Sequence, residues 1–346
     1  MWLGRILCPM TSADGQVVTS DLRAVGAGVV EPRVLSHARA HVRRITRASG
    51  ENFTVLSRLV PGDLRDDYAA VYAFCRVADD AADEHSNDAA SREASLRTLC
   101  AMRAKLIACE RGELGRGGGA LRDDDLLFVA LQQSIAKRKL PVQAFHDLLD
   151  AFEQDQRVTR YETWDDVMAY SRKSANPVGR LVLALHGEAM DESARAREML
   201  RCSDCICTAL QLTNFWQDVR RDLLERDRVY LPAESGMPAD KLREWMGKPK
   251  DAGVRRRMTD EMHELCRRTS ELYRQGKPLE QMVEPRLAWI LWLFRQGGQR
   301  TLQLVEEGGY VTLWERPRVG KVARAGLLLR AYWGAVWGVL PSATSE

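Results

Sequence analysis

No stretch of the chain alternates apolar and polar residues as a half-buried strand does, and no glycine-rich loop follows a strand. A dinucleotide cradle therefore has no scaffold here. The six histidines show no ligand spacing and read as scattered surface or core groups. The eight cysteines lack the even spacing of a disulfide framework, which points to a reducing cytoplasm. Cys202, Cys205 and Cys207 invite a metal reading, but they lack a second ligand pair, and helix packing is preferred. A net charge of +3 with no basic block gives nucleic acid nothing to bind. The most membrane-like run, Ala325 to Leu340, is interrupted by Arg330 and falls short of the ~20 residues needed to span. Trp2 to Cys8 is too short for a secretory core.

What the chain does have is helical punctuation. At 346 residues and 45% hydrophobic content it can bury one large core. Apolar periodicity predicts helices over 36–48, 64–84, 91–110, 123–138, 141–153, 163–187, 191–225, 238–247, 251–274, 281–307 and 319–338. Turn signals separate them at Pro61-Gly62, Gly112 to Gly119, Pro141, Gly187, Pro232 and Gly308-Gly309. Residues 1–35 are aperiodic and read as a loose arm. No internal repeat is visible. Asn176-Pro177-Val178-Gly179 should bend the helix that holds it, since proline removes a backbone donor.

Two acidic segments dominate: Phe74-Cys75-Arg76-Val77-Ala78-Asp79-Asp80-Ala81-Ala82-Asp83-Glu84 and Asn214-Phe215-Trp216-Gln217-Asp218-Val219-Arg220-Arg221-Asp222. On helices, Asp79 and Asp83 face one way a turn apart, and Asn214, Asp218 and Asp222 share a face over two turns. Each is a strip of hard oxygen donors. Mg²⁺ takes a few carboxylates plus phosphate oxygens and water, so two facing strips would hold a diphosphate through more than one Mg²⁺. A single acidic face is as often plain solvated surface. The flanks argue otherwise, because Val71 to Phe74 and Ala209 to Leu212 are apolar enough to be core, and buried charges need partners or metal. Arg76 beside the first strip and Arg220, Arg221 and Arg228 around the second suit a polyanionic leaving group.

These residues resemble a known family, the squalene/phytoene synthases, which are all-helical head-to-head prenyl transferases. The elements come in the family's order from about Ser36 to Lys321: Ala73 to Glu84, Tyr170 to Gly179, Gln211 to Asp222, then Arg228-Val229-Tyr230-Leu231-Pro232. The resemblance implies an all-α, single-domain isoprenoid synthase bundle with a central cavity. Its catalytic domain would cover 36–320, followed by a C-terminal helix in 321–346. It also implies Mg²⁺–diphosphate ligands at Asp79, Asp80, Asp83, Asn214, Asp218 and Asp222, and diphosphate contacts from Arg76, Arg228 and Tyr230. Tyr170 would lie near the reacting carbons. Phe53, Phe74, Val178, Gly179, Gln211, Phe215, Gln217 and Arg221 would bind substrate, although for any one of the aromatics, as for Trp216, plain core is the preferred reading.

Departures from the common pattern narrow the choice. Gln217 stands where many relatives carry arginine, and Gly50-Glu51-Asn52-Phe53 replaces a serine-rich segment. With Ser174 to Arg180, these features look most like the bacterial hopanoid-pathway branch, which includes hydroxysqualene synthase. The implied reaction is presqualene diphosphate plus water giving hydroxysqualene, with NADPH not expected. Squalene synthase and phytoene-type synthase are the alternatives within the enzyme class, and an isoprenoid carrier or membrane scaffold outside it. Tyr332, Trp333 and Trp337 in the last helix suit a lipid interface, with Arg318, Lys321, Arg324 and Arg330 toward anionic headgroups. The other reading is a last helix packed on the domain. The expected location is cytoplasmic, with peripheral contact at the inner membrane surface.

Overall fold

A computed structural model of the chain describes residues 30–48, 59–83, 88–115 and 122–342. The elements are α1 (Pro32–Ala48), α2 (Arg65–Asp83), α3 (Ala89–Glu110), α4 (Asp123–Arg138), α5 (Val142–Asp155), α6 (Trp164–Ser174), α7 (Asn176–Leu185), α8 (Ala194–Gln217), α9 (Val219–Glu225), α10 (Ala239–Met246), α11 (Ala252–Gly276), α12 (Pro285–Glu307) and α13 (Lys321–Trp337). Among the described residues there is no strand, only one isolated bridge between Arg160 and Val229. The expected all-helical bundle is what forms. The first helix begins at Pro32, four residues before the expected start, because proline fits the first helical turn where no backbone donor is needed.

Two segments expected as single helices are each divided. The 163–187 run breaks at Ala175, ahead of Pro177, whose ring and missing donor cannot continue α6. The 191–225 run kinks at Asp218, with φ −103° and ψ 17°. The kink is shallow in register: the Asp218 amide still donates to the Asn214 carbonyl at 2.9 Å, and the Asp222 amide to the Asp218 carbonyl at 2.9 Å. The i to i−4 order of the second strip therefore survives.

Apolar faces gather into two cores. One joins α1 to α5, with Phe74 set edge-on against Phe128 and Phe145 at centroid distances of 6.1 and 5.1 Å. The other joins α6, α8, α10 and α11 around Trp216 and Tyr273. Helices α7 and α12 contribute buried residues to both, so they weld the halves together. Close approach there depends on missing side chains. A Cβ at Gly298 of α12 would collide with Tyr273 and Leu210, and one at Gly179 of α7 would sit 2.6 Å from Cys207 Sγ on α8.

Candidate active site

The second strip is buried. Asn214, Asp218 and Asp222 are all nearly inaccessible, as is Gln211 one turn earlier. Asp218 is paired with Arg316, whose Nε and Nη2 both reach its carboxylate, the second at 3.2 Å. Arg221 Nη1 approaches the same carboxylate at 3.8 Å, and its Nε donates to Glu225 at 3.0 Å. Asp222 accepts from Arg226 at 3.4 Å. Gln217 donates through Nε2 to the Pro317 carbonyl at 2.7 Å, and Arg220 reaches the Leu313 carbonyl at 3.5 Å. The segment between α12 and α13 is thus strapped across the end of α8.

In the first strip Asp79 is buried and Asp80 is half-buried. Asp80 takes a two-pronged hydrogen bond from Arg76 one turn before it, at 2.9 and 2.5 Å. The backbone of Asp83 closes α2, while its side chain lies outside the described residues, as do Phe53 and Glu84.

Between the strips sits a residue that sequence reasoning missed, Asp155 at the end of α5. Its carboxylate accepts from Tyr170 Oη at 2.9 Å and from Tyr230 Oη at 3.3 Å, and Arg228 Nη1 lies 3.5 Å away. The next residue, Gln156, donates to the Ala82 carbonyl of α2 at 3.1 Å, while the Arg228 amide donates to the Asp222 carbonyl at 2.9 Å. The α5 terminus therefore links the end of the first strip to the end of the second. A signal was present: Leu148, Phe152 and Asp155 follow the helical repeat, so a carboxylate falls where the core face calls for an apolar side chain. Arg316 had no such signal.

The Arg228 to Pro232 motif is held extended, with the Val229 and Ala233 amides donating to the Thr159 and Tyr161 carbonyls at 2.9 Å each. That pairing sets Tyr230 flat on Phe215, centroids 3.8 Å apart and planes 5° from parallel. Tyr161, also unforeseen, stacks on Tyr230 at 5.6 Å, and Tyr170 lies 5.5 Å from Tyr230. Burial first, then the Asp155 carboxylate, pushes the Tyr161, Tyr170 and Tyr230 phenols far above their usual range. All three stay protonated, as neutral donors and quadrupolar ring faces.

Other expected substrate-binding residues are placed differently. Phe74 is a fully enclosed core ring and not a substrate-facing one, because α3 to α5 cover that side of α2. Gly179 faces Ser203 and Cys207 of α8, where it permits helix contact, and Val178 packs partly buried on the first core. Cys202 and Cys207 are buried free thiols of the second core, in keeping with the packing reading.

The donors can be tested against Mg²⁺ by their own chemistry. The Asn214 amide is buried, yet neither Oδ1 nor Nδ2 has a hydrogen-bond partner. Leaving such a group unpaired costs about 1–3 kcal/mol. Its oxygen is a hard donor one turn before Asp218, so the set fits a divalent cation. Among the described residues no three His, Cys, Asp or Glu side chains gather tightly enough to enclose an ion alone. Mg²⁺ commonly takes one or two carboxylates and completes its shell with water and substrate phosphate.

Comparison with known proteins decides the lineage: the squalene/phytoene synthase family model matches residues 46–323. The chain belongs to that family. The chain is 34% identical over 229 residues to a hydroxysqualene synthase of Rhodopseudomonas palustris, covering 66% of this chain and 70% of the relative. It is 37% identical over 186 residues to the hydroxysqualene synthase of Zymomonas mobilis, a match spanning 53% of this chain and only 55% of that protein's length. Among solved structures, the squalene synthase HpnC of Alicyclobacillus acidocaldarius superimposes with a TM-score of 0.66 at 37% identity, over 81% of this chain and 97% of the other. The family makes isoprenoids from prenyl diphosphates, and the synthase bundle described above is its fold.

Proposed function

We propose that this synthase ionises presqualene diphosphate and captures the cation with water, giving hydroxysqualene and diphosphate. The observation that carries the ionisation is the buried Asn214, Asp218 and Asp222 face with its unpartnered amide. The similarity to hydroxysqualene synthases supports water capture. Mg²⁺ bound by Asp79, Asp80 and Asp83 on one side and Asn214, Asp218 and Asp222 on the other would neutralise charge growing on the leaving oxygens. Arg76, Arg221, Arg228 and Arg316 are each held by a carboxylate of this region, poised to turn to the departing diphosphate. The Phe215, Tyr230, Tyr170 and Tyr161 rings present π-faces that stabilise a carbocation without reacting with it. The C–O bond to diphosphate breaks with its electron pair. Water supplies the new C–O bond, and its second proton leaves to solvent.

A second reading, squalene synthase, is favoured by the likeness to the Alicyclobacillus enzyme. Incubating presqualene diphosphate with the enzyme and Mg²⁺ in ¹⁸O-labelled water without reductant separates the two. Labelled hydroxysqualene is the expected product. A hydrocarbon formed only when NADPH is added would assign the chain to the squalene synthases.

A further inference from the structure

The last helix leaves most of its large apolar side chains on the outside. On its inward side Ala331 and Ala335 are buried, Leu327 and Leu328 pack partly buried on the first core, and a Cβ on Gly334 would collide with the Trp289 ring of α12. Its other large apolar residues point the other way. Val322, Leu329 and Val336 step by seven, and Leu329, Trp333 and Trp337 step by four, so all lie on one face. Trp333 is 54% exposed and Trp337 74%. A helix whose role is to cover its own domain buries its large side chains and exposes its small ones.

Nor can the helix roll over to hide this face. Trp289 Nε1 donates to the Val339 carbonyl at 2.5 Å, and Gln281 Nε2 to the Pro341 carbonyl at 2.6 Å, so the chain beyond α13 is pinned to α12 and the turn before it. Arg330 lies over the Trp292 ring at 5.1 Å, fixing one flank. Among the described residues no helix is long and apolar enough to cross a membrane.

We infer that α13 is a docking face for an anionic phospholipid surface, lying in its plane. Charge selects this occupant. From Pro317 to Ser345 the sequence holds Arg318, Lys321, Arg324 and Arg330 and no acidic residue. Clustered cations beside exposed tryptophans match headgroup phosphates over an acyl boundary. Area argues against a second copy of the chain. A helix of 17 residues is about 25 Å long and offers a face of about 250 Å², well below the about 800 Å² per partner of a stable interface.

Flotation of the full-length protein with neutral phosphatidylcholine vesicles, and with vesicles containing added phosphatidylglycerol, tests this. The protein should float with the anionic vesicles and be released by salt. The double variant Trp333→Ser/Trp337→Ser should lose at least about tenfold in partitioning while its circular dichroism and melting stay unchanged. Quenching of tryptophan fluorescence by brominated anionic lipid reports the same contact in the unsubstituted protein. No flotation, equal flotation on neutral vesicles, or undiminished flotation of the double variant overturns the inference. So does a dimer in sedimentation that the same double variant dissociates.

Discussion

Asp155 and Tyr170, fifteen residues apart on different helices, are joined by a buried phenol-to-carboxylate hydrogen bond of 2.9 Å. The same carboxylate holds Tyr230 and Arg228, so one acid fixes three side chains of the site from the gap between the two acidic strips. Asp155→Asn keeps an acceptor for the phenols and removes the charge facing Arg228. Its kcat should fall by about a hundredfold with the fold retained. Asp155→Ala removes the carboxylate beside a buried guanidinium and the acceptor of two buried phenols, and should cost about 3 kcal/mol in urea denaturation. Unchanged kcat in Asp155→Asn would reduce Asp155 to a structural acid.

Asp79→Ala removes a buried oxygen donor from the first strip while leaving α2 intact, since alanine is the best helix former. Turnover should drop by at least about a hundredfold, with the Mg²⁺ concentration for half-maximal rate moved upward. Asp83→Ala should behave alike. Near-normal turnover in either folded variant removes the metal role from the first strip.

Asp218→Asn preserves shape, but a neutral amide is a poor Mg²⁺ ligand, and the pairing with Arg316 is weakened as well. Most activity should be lost and the Mg²⁺ dependence shifted. A rate and Mg²⁺ response equal to the unsubstituted enzyme would recast the Asp218, Arg221 and Arg316 group as a structural ion-pair network.

Gly179→Ala separates packing from substrate lining. The new methyl must displace both Ser203 and Cys207 of α8, so stability should fall by about 1–3 kcal/mol in thermal or urea unfolding. A stability loss with KM unchanged at low temperature supports the packing role. An altered KM with full stability would return Gly179 to the substrate path.

The sequence by itself determined the helical class and the helical spacing within the second acidic strip, because helical repeats and i, i+4 spacing are local properties. The i to i−4 bonds from Asn214 through Asp222 bear this out even across the kink at Asp218. Tertiary structure alone decided which groups meet. Arg316 finds Asp218 across 98 residues and Arg228 finds Asp155 at the far end of α5, pairings that no repeat encodes. It also decided which faces stay bare. Ala331, Gly334 and Ala335 read as ordinary small residues until Trp289 is set against them, and only then are Trp333 and Trp337 turned outward. Burial and long-range pairing depend on how helices pack in three dimensions, and a linear pattern fixes only the face that each helix has to offer.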